Sequence, residues 1–172
     1  LELSLFLTLP ASAALLIASE EIISALFGYG SFNEVSVANS GKALYYFALG
    51  LPAFSLIKVF SSFFFANHDT KIPFYISLFS VLINIVISIS YFNEIGFIII
   101  PIATTISSWL NAILLFAFLK NRNLFSFNNI FLVRFVKIIV ASLLMAIFFN
   151  FLITYFKYEL AFNQNIKSFY LI

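Results

Sequence analysis

The sequence predicts an all-α protein, a polytopic bundle of transmembrane helices. Three observations carry this. The chain of 172 residues is 63% hydrophobic and only 9% charged, whereas a soluble domain carries about 25% charged residues. Its mean hydropathy is +1.08, too apolar for a fold of this size to cover itself with polar surface and too apolar for a disordered chain. Its apolar runs are continuous rather than alternating, which selects helices over a membrane β-barrel.

Crossing about 30 Å of hydrocarbon takes roughly 20 apolar residues as helix, and five stretches qualify. The first runs from Leu3 to Phe27, with Pro10 inside it and Glu20 and Glu21 near its far end; Gly28 and Gly30 suit its C-terminus. Ser31 and Glu34 form a capping box that starts a short helix or the second span, Ala43 to Ala66. Asp69 or Thr70 caps the third span, Pro73 to Phe92, with Pro73 in or near its first turn. Asn93, Glu94 and Gly96 make a tight hairpin into the fourth, Ile95 to Leu119. A polar linker, Lys120 to Asn129, leads to the fifth, Phe131 to Phe156. The start of a sixth is expected near Lys167. The chain lacks an initiating Met, opens inside an apolar run and closes on another, so it is expected to be an internal piece of a longer membrane protein.

Lysines and arginines set the orientation. The loops after the second and fourth spans hold Lys71, Lys120, Arg122, Arg134 and Lys137; the other loops and the tail hold Lys42, Lys157 and Lys167 with most of the acids. The bias places the loops after spans two and four in the cytoplasm. Composition excludes several classes. Without cysteine and with His68 as the single histidine, a thiolate or multi-histidine metal site is impossible. A net charge of +2 with scattered basic residues gives no footprint for nucleic acid. His68–Asp69 has no third group to complete a triad, and no hydrolytic or redox enzyme is indicated.

Polar residues inside the spans are the informative ones. A charge at bilayer depth faces a cavity or a partner. Lys58 lies eight residues before Ala66, roughly 12 Å from the span's end at 1.5 Å per residue, and its stem covers about half of that by snorkelling. It is either an anion contact on a substrate path or a structurally paired, snorkelling lysine. Asn84 and Ser88 share one face of the third span. With Thr104 and the carbonyl of Phe97 freed by Pro101, they are oxygen ligands for a small cation or, alternatively, interhelical hydrogen-bond partners. Glu20 and Glu21 read as a water-exposed helix end or an ion site. Ser62 and Ala66 form a small-xxx-small pair that permits close packing. Trp109 lies deeper than the interfacial tyrosines.

The stretch LTLPASAALLIASEEIISALFGYGSFN is similar to a helix and loop of the MurJ/MviN lipid II flippases. The next piece, ALYYFALGLPAFSLIKVFSSFFFANHDTKIP, resembles that family at Tyr46, Ala48, Leu49, Gly50, Leu51, Pro52, Lys58, Phe64, Ala66, Asp69, Thr70 and Pro73; SSWLNAILL follows with Trp109, Leu110 and Asn111. The resemblance covers residues 5–120. It departs at Phe65, where the family commonly has Tyr, at Asn67 and at Ser88. It implies that residues 1–119 belong to a C-terminal six-helix transport lobe and 120–172 to further, truncated C-terminal helices, together helices nine to fourteen of fourteen. It also implies an inner-membrane transporter that moves an undecaprenyl-pyrophosphate-linked peptidoglycan precursor by alternating access, together with an N-terminal lobe of the same protein. Its family cavity arginines have no counterparts here. No cofactor is expected beyond a coupling cation, sodium or proton. The rival readings are another polysaccharide-lipid or drug exporter of the same superfamily and a non-transporting membrane scaffold.

Overall fold

The computed structural model describes residues 1–28, 32–122 and 129–169, which form only helices and their connecting turns. The helices are α1 (Glu2–Ile17), α2 (Ser19–Phe27), α3 (Glu34–Ala66), α4 (Lys71–Ile95), α5 (Ile99–Asn121) and α6 (Asn129–Phe169), with a 3-10 turn at Gly96–Ile98. Three segments are each long and apolar enough to cross a bilayer: Glu34–Ala66, Lys71–Asn121 and Phe131–Phe156; the bent α1–α2 pair is a fourth. The segment Lys71–Asn121 is folded back on itself. Hydrogen bonds pair Asn84 with Thr104 and Ser77 with Asn111, an antiparallel register that makes α4 and α5 arms of a hairpin. At 25 and 23 residues, each arm is itself long enough to cross. The described chain is thus a multi-pass membrane bundle, and its crossing segments coincide with the five spans read from hydropathy.

Neighbours in sequence are not always neighbours in space. The packing order is α6, α1, α3, α5, α4, with α2 leaning on α3. In lipid there is little hydrophobic drive between helices, so dispersion packing and hydrogen bonds hold them together. The tightest apolar packing is Phe60, Phe64, Ile76, Leu115 and Leu119, where α3, α4 and α5 converge. Elsewhere α4 and α6 present large apolar side chains outward, Ile89 and Ile147 among them, as helices do that face lipid or further helices.

Local chemistry explains the boundaries. α3 is capped by Asn33, whose side chain accepts from the Ser36 amide at 2.9 Å; Gly30 and Ser31 lie outside the described residues, as does the centre of the polar linker, 123–128. α3 runs unbroken from Glu34 through the second span, so its polar first turns and the span are one helix. The α4–α5 turn needs only Gly96, which adopts φ 74°, a conformation that side chains with a Cβ rarely take. Asn93 and Glu94 remain helical. Pro101 lies within the fourth span's helix, near its start. α5 begins at Ile99, so the proline falls in the first turn, where its missing N–H removes no helix bond.

Two expectations change. The first span is not one helix: α1 and α2 meet at 76° around Ala18. A straight helix would carry Glu20 and Glu21 one turn further along the apolar run. The bend instead sets both in the first turn of α2, where the helix dipole favours negative charge. The tail also differs. α6 continues as one helix to Phe169, so residues near Lys167 extend the fifth span's helix instead of opening another.

Candidate functional site

The family-like string at Gly50–Pro52 lies where α3 is gripped from two sides. Pro52 has no N–H, so the carbonyl of Ala48, four residues earlier, loses its helical donor. The Ser12 hydroxyl on α1 supplies one, donating to Ala48 O at 2.6 Å. From α5, Thr105 Oγ1 donates to Tyr46 O at 2.7 Å and Trp109 Nε1 to Leu49 O at 3.1 Å. The deep tryptophan thus has a partner for its indole N–H. Gly50 permits this approach: a Cβ there would stand 3.1 Å from Thr105 Oγ1. The Ser4 and Ser55 hydroxyls add a further α1–α3 bond. Ser62 and Ala66 are both exposed, so close packing occurs at Gly50 and not at that small-residue pair.

A second polar region lies between α4 and α5. Asn84 Nδ2 donates to Thr104 Oγ1 at 3.1 Å and to Ser107 Oγ at 3.3 Å. Thr104 Oγ1 in turn donates to the Ile100 carbonyl at 2.8 Å. Ser88 sits one turn from Asn84 with its hydroxyl oxygen buried and unbonded among the described residues. The seam therefore joins Asn84 to Thr104, with Ser88 one turn along α4 from Asn84. The carbonyl at hand is that of Ile100; Phe97 belongs to the 3-10 turn.

Lys58 is exposed in the C-terminal half of the second span, on a face of α3 that also carries Phe47, Ser62 and Phe65. Lys58 takes part in neither the Arg122–Asp69 nor the Arg134–Glu2 ion pair, and no described carboxylate pairs with its amine. His68 and Asp69 occupy the α3–α4 turn, His68 with φ 57°. Asp69, not Thr70, caps α4: its Oδ1 accepts from the Lys71 and Ile72 amides at 3.1 and 3.3 Å, while Thr70 makes no side-chain cap. Its Oδ2 accepts from Arg122 Nη1 at 2.6 Å. Desolvation raises the Asp69 pKa, but the Ile72 amide, the Arg122 guanidinium and the Lys71 amide together outweigh it and hold the carboxyl below its usual range.

Between α1, α3, α5 and α6 lies a cavity of about 300 Å³ lined by apolar groups, among them Leu5, Phe60, Trp109 and Phe135. Its chemistry suits hydrocarbon.

The chain matches the family model described as Lipid II flippase MurJ over residues 1–170. The chain belongs to the lipid II flippase MurJ family. A Rhizobium meliloti protein named "Probable lipid II flippase MurJ" is 40% identical over 145 residues, 84% of this chain and 27% of the relative. A Rickettsia prowazekii protein of the same name is 36% identical over 118 residues, 69% of this chain and 23% of the relative. The fold is that of a solved lipid II flippase MurJ in an inward closed conformation, with a TM-score of 0.73 at 24% identity, over 94% of this chain and 37% of that one. The chain spans about a quarter of the length of the curated relatives it matches.

Within this MurJ-family chain the motif residues have separate physical tasks. Gly50 admits α5, Pro52 frees a carbonyl for α1, Asp69 caps α4, and buried Pro73 stands in its first turn. Sequence reasoning missed Ser12 as a donor, although Pro52 marks Ala48 as an acceptor in need of one. It also missed Ser77, Ser80 and Asn111, whose signal was a polar residue every three or four positions along both arms of the hairpin.

Proposed function

We propose that the whole protein is a bacterial inner-membrane transporter that moves an undecaprenyl-pyrophosphate-linked peptidoglycan precursor across the bilayer by alternating access. In this reading residues 1–119 belong to its C-terminal transport lobe and 120–172 to additional C-terminal helices. An N-terminal lobe of the same protein supplies the other wall of the path. The observation that carries the proposal is Lys58: an exposed cation on a helix of MurJ-family sequence, inside an apolar span and without a described carboxylate beside it. A pyrophosphate is the kind of partner such a charge requires. The apolar cavity against α1 offers the hydrocarbon part of the same substrate a lined surface. Asn84, Ser88 and Thr104 supply neutral oxygen groups for a coupling cation, sodium or proton, and neutral oxygens of this kind suit sodium.

The test is depletion and rescue with the full-length protein. Lys58→Ala is expected to fail to restore growth and precursor export, while Lys58→Arg restores both at least in part. Full growth on Lys58→Ala, at normal protein level, removes Lys58 from the substrate path.

A further inference from the structure

The α4–α5 seam does not end at Asn84. Toward the Asp69 end it continues through Ser80 and Ser77 on α4, which face Ser108 and Asn111 on α5 in the same antiparallel register. A cavity of about 350 Å³ follows this line. Asn111 is only 8% exposed. Its Nδ2 reaches Ser77 Oγ at 3.4 Å, while its Oδ1 is buried and has no partner among the described residues.

The hydroxyl protons of Ser80, Ser107 and Ser108 are committed elsewhere. Ser80 Oγ donates to Ile76 O at 2.9 Å, Ser108 Oγ to Thr104 O at 2.7 Å, and Ser107 Oγ to Thr104 O at 3.0 Å. Each hydroxyl hydrogen thus points back into its own helix. The side-chain oxygens along this line with lone pairs to offer are Ser80 Oγ, Ser108 Oγ and the orphaned Asn111 Oδ1. A buried acceptor without a donor is unfavourable. A cluster of neutral hard oxygens is the donor set of a hard cation.

We infer that the seam holds a second alkali-cation site, built from Asn111 Oδ1 with the Ser80 and Ser108 hydroxyls. It lies up to two helical turns from Asn84, within roughly 10 Å along α4. The inference rests on the reading of Asn84, Ser88 and Thr104 as a coupling-cation site and extends it into a two-station path. A cation leaving Asn84 toward the Asp69 end passes from one set of neutral oxygens to the next, so it is never stripped of ligands in the apolar part of the bundle.

The experiment is equilibrium binding of radioactive sodium to the purified full-length protein, counted per protein molecule, with choline as the inert counter-cation. The intact protein is expected to bind one more sodium than Asn111→Leu, while Asn84→Ala loses a different one. Asn111→Asp keeps the side chain's shape and adds a charge. It is expected to tighten the second site about tenfold, because ligand charge sets cation affinity, and to make that site weaken as the pH falls. Two outcomes overturn the inference: an unchanged sodium count in Asn111→Leu, or an unchanged affinity and pH dependence in Asn111→Asp. Either would make the lower seam a packing contact only. If Asn84→Ala binds as much sodium as the intact protein, the coupling-cation reading itself fails, and that result is separate from the Asn111 arms.

Discussion

Thr104 and Thr105 are adjacent in sequence and belong to opposite halves of the molecule. Thr105 faces α3 and donates to the Tyr46 carbonyl; Thr104 faces α4 and accepts from Asn84. On the α3 side every polar group in view is matched. Ser12, Thr105 and Trp109 each meet a main-chain carbonyl, and Gly50 clears the space for them. On the α4 side acceptors outnumber donors, and Ser88 Oγ and Asn111 Oδ1 are left over. The same residue types make a closed contact on one face of α5 and an open one on the other. The lesson is that polarity in a span is not by itself a sign of function. What matters is whether its hydrogen-bond accounts close.

The comparison can be broken most forcefully at Gly50. Gly50→Leu would push into Thr105 Oγ1 and the Phe54 ring, both 3.1 Å from an added Cβ. Overpacking of this kind costs about 1–3 kcal/mol, so the variant should lose most of its folded yield or show a clearly lower melting temperature in detergent. A melting temperature equal to the parent's would mean that α3 and α5 are not closely packed. Ser12→Ala should cost less, about 1 kcal/mol, because it leaves the Ala48 carbonyl without its replacement donor. If thermal unfolding of Ser12→Ala matches the parent, the closed account on this side is wrong.

The end shared by both seams is tied by Asp69, which caps α4 and bridges to Arg122. Its carboxyl is held below the usual range when folded. Its contribution is therefore present at neutral pH and lost as the pH falls through that lowered value. Asp69→Asn should reduce stability slightly at pH 7, and the difference from the parent should vanish in acid. A difference that persists at low pH would assign the effect to shape instead of charge. The smallest effect belongs to Ser88→Ala. Its hydroxyl has no described partner, so stability should stay within about 0.5 kcal/mol while sodium dependence of transport changes. Loss of stability there would show a closed contact where the structure has an open one.

Hydropathy found every crossing segment, because a span must be apolar for some 20 residues whatever its neighbours do. It could not find the break at Ala18, since apolar residues stand on both sides of it, Leu15 to Ile17 before and Ile22 to Phe27, broken only by Ser24, after. It also set the start of the fourth span at Ile95, four residues before α5 begins, which made the first-turn Pro101 look as though it freed a helical carbonyl. Asn84 and Ser88 were legible as a face of α4 because helical spacing is local. The pairing of Asn84 with Thr104 and Ser107, and of Asn111 with Ser77, depends on the register between two helices, which no single helix reveals. Lys58 was legible as a misplaced charge, and only packing decides which way it faces.

The proline in α3 has a consequence for the order in which the chain is made. The Ala48 carbonyl that Pro52 leaves open is taken by Ser12, 36 residues upstream. When α3 leaves the ribosome and enters the membrane, α1 has already been delivered, so the donor precedes the acceptor. Thr105 and Trp109, 59 and 60 residues downstream of their acceptors, arrive only after the α4–α5 hairpin is inserted. The weak point of α3 is thus protected by the helix that is already there, and the later pair locks an arrangement that synthesis from the N-terminus has set.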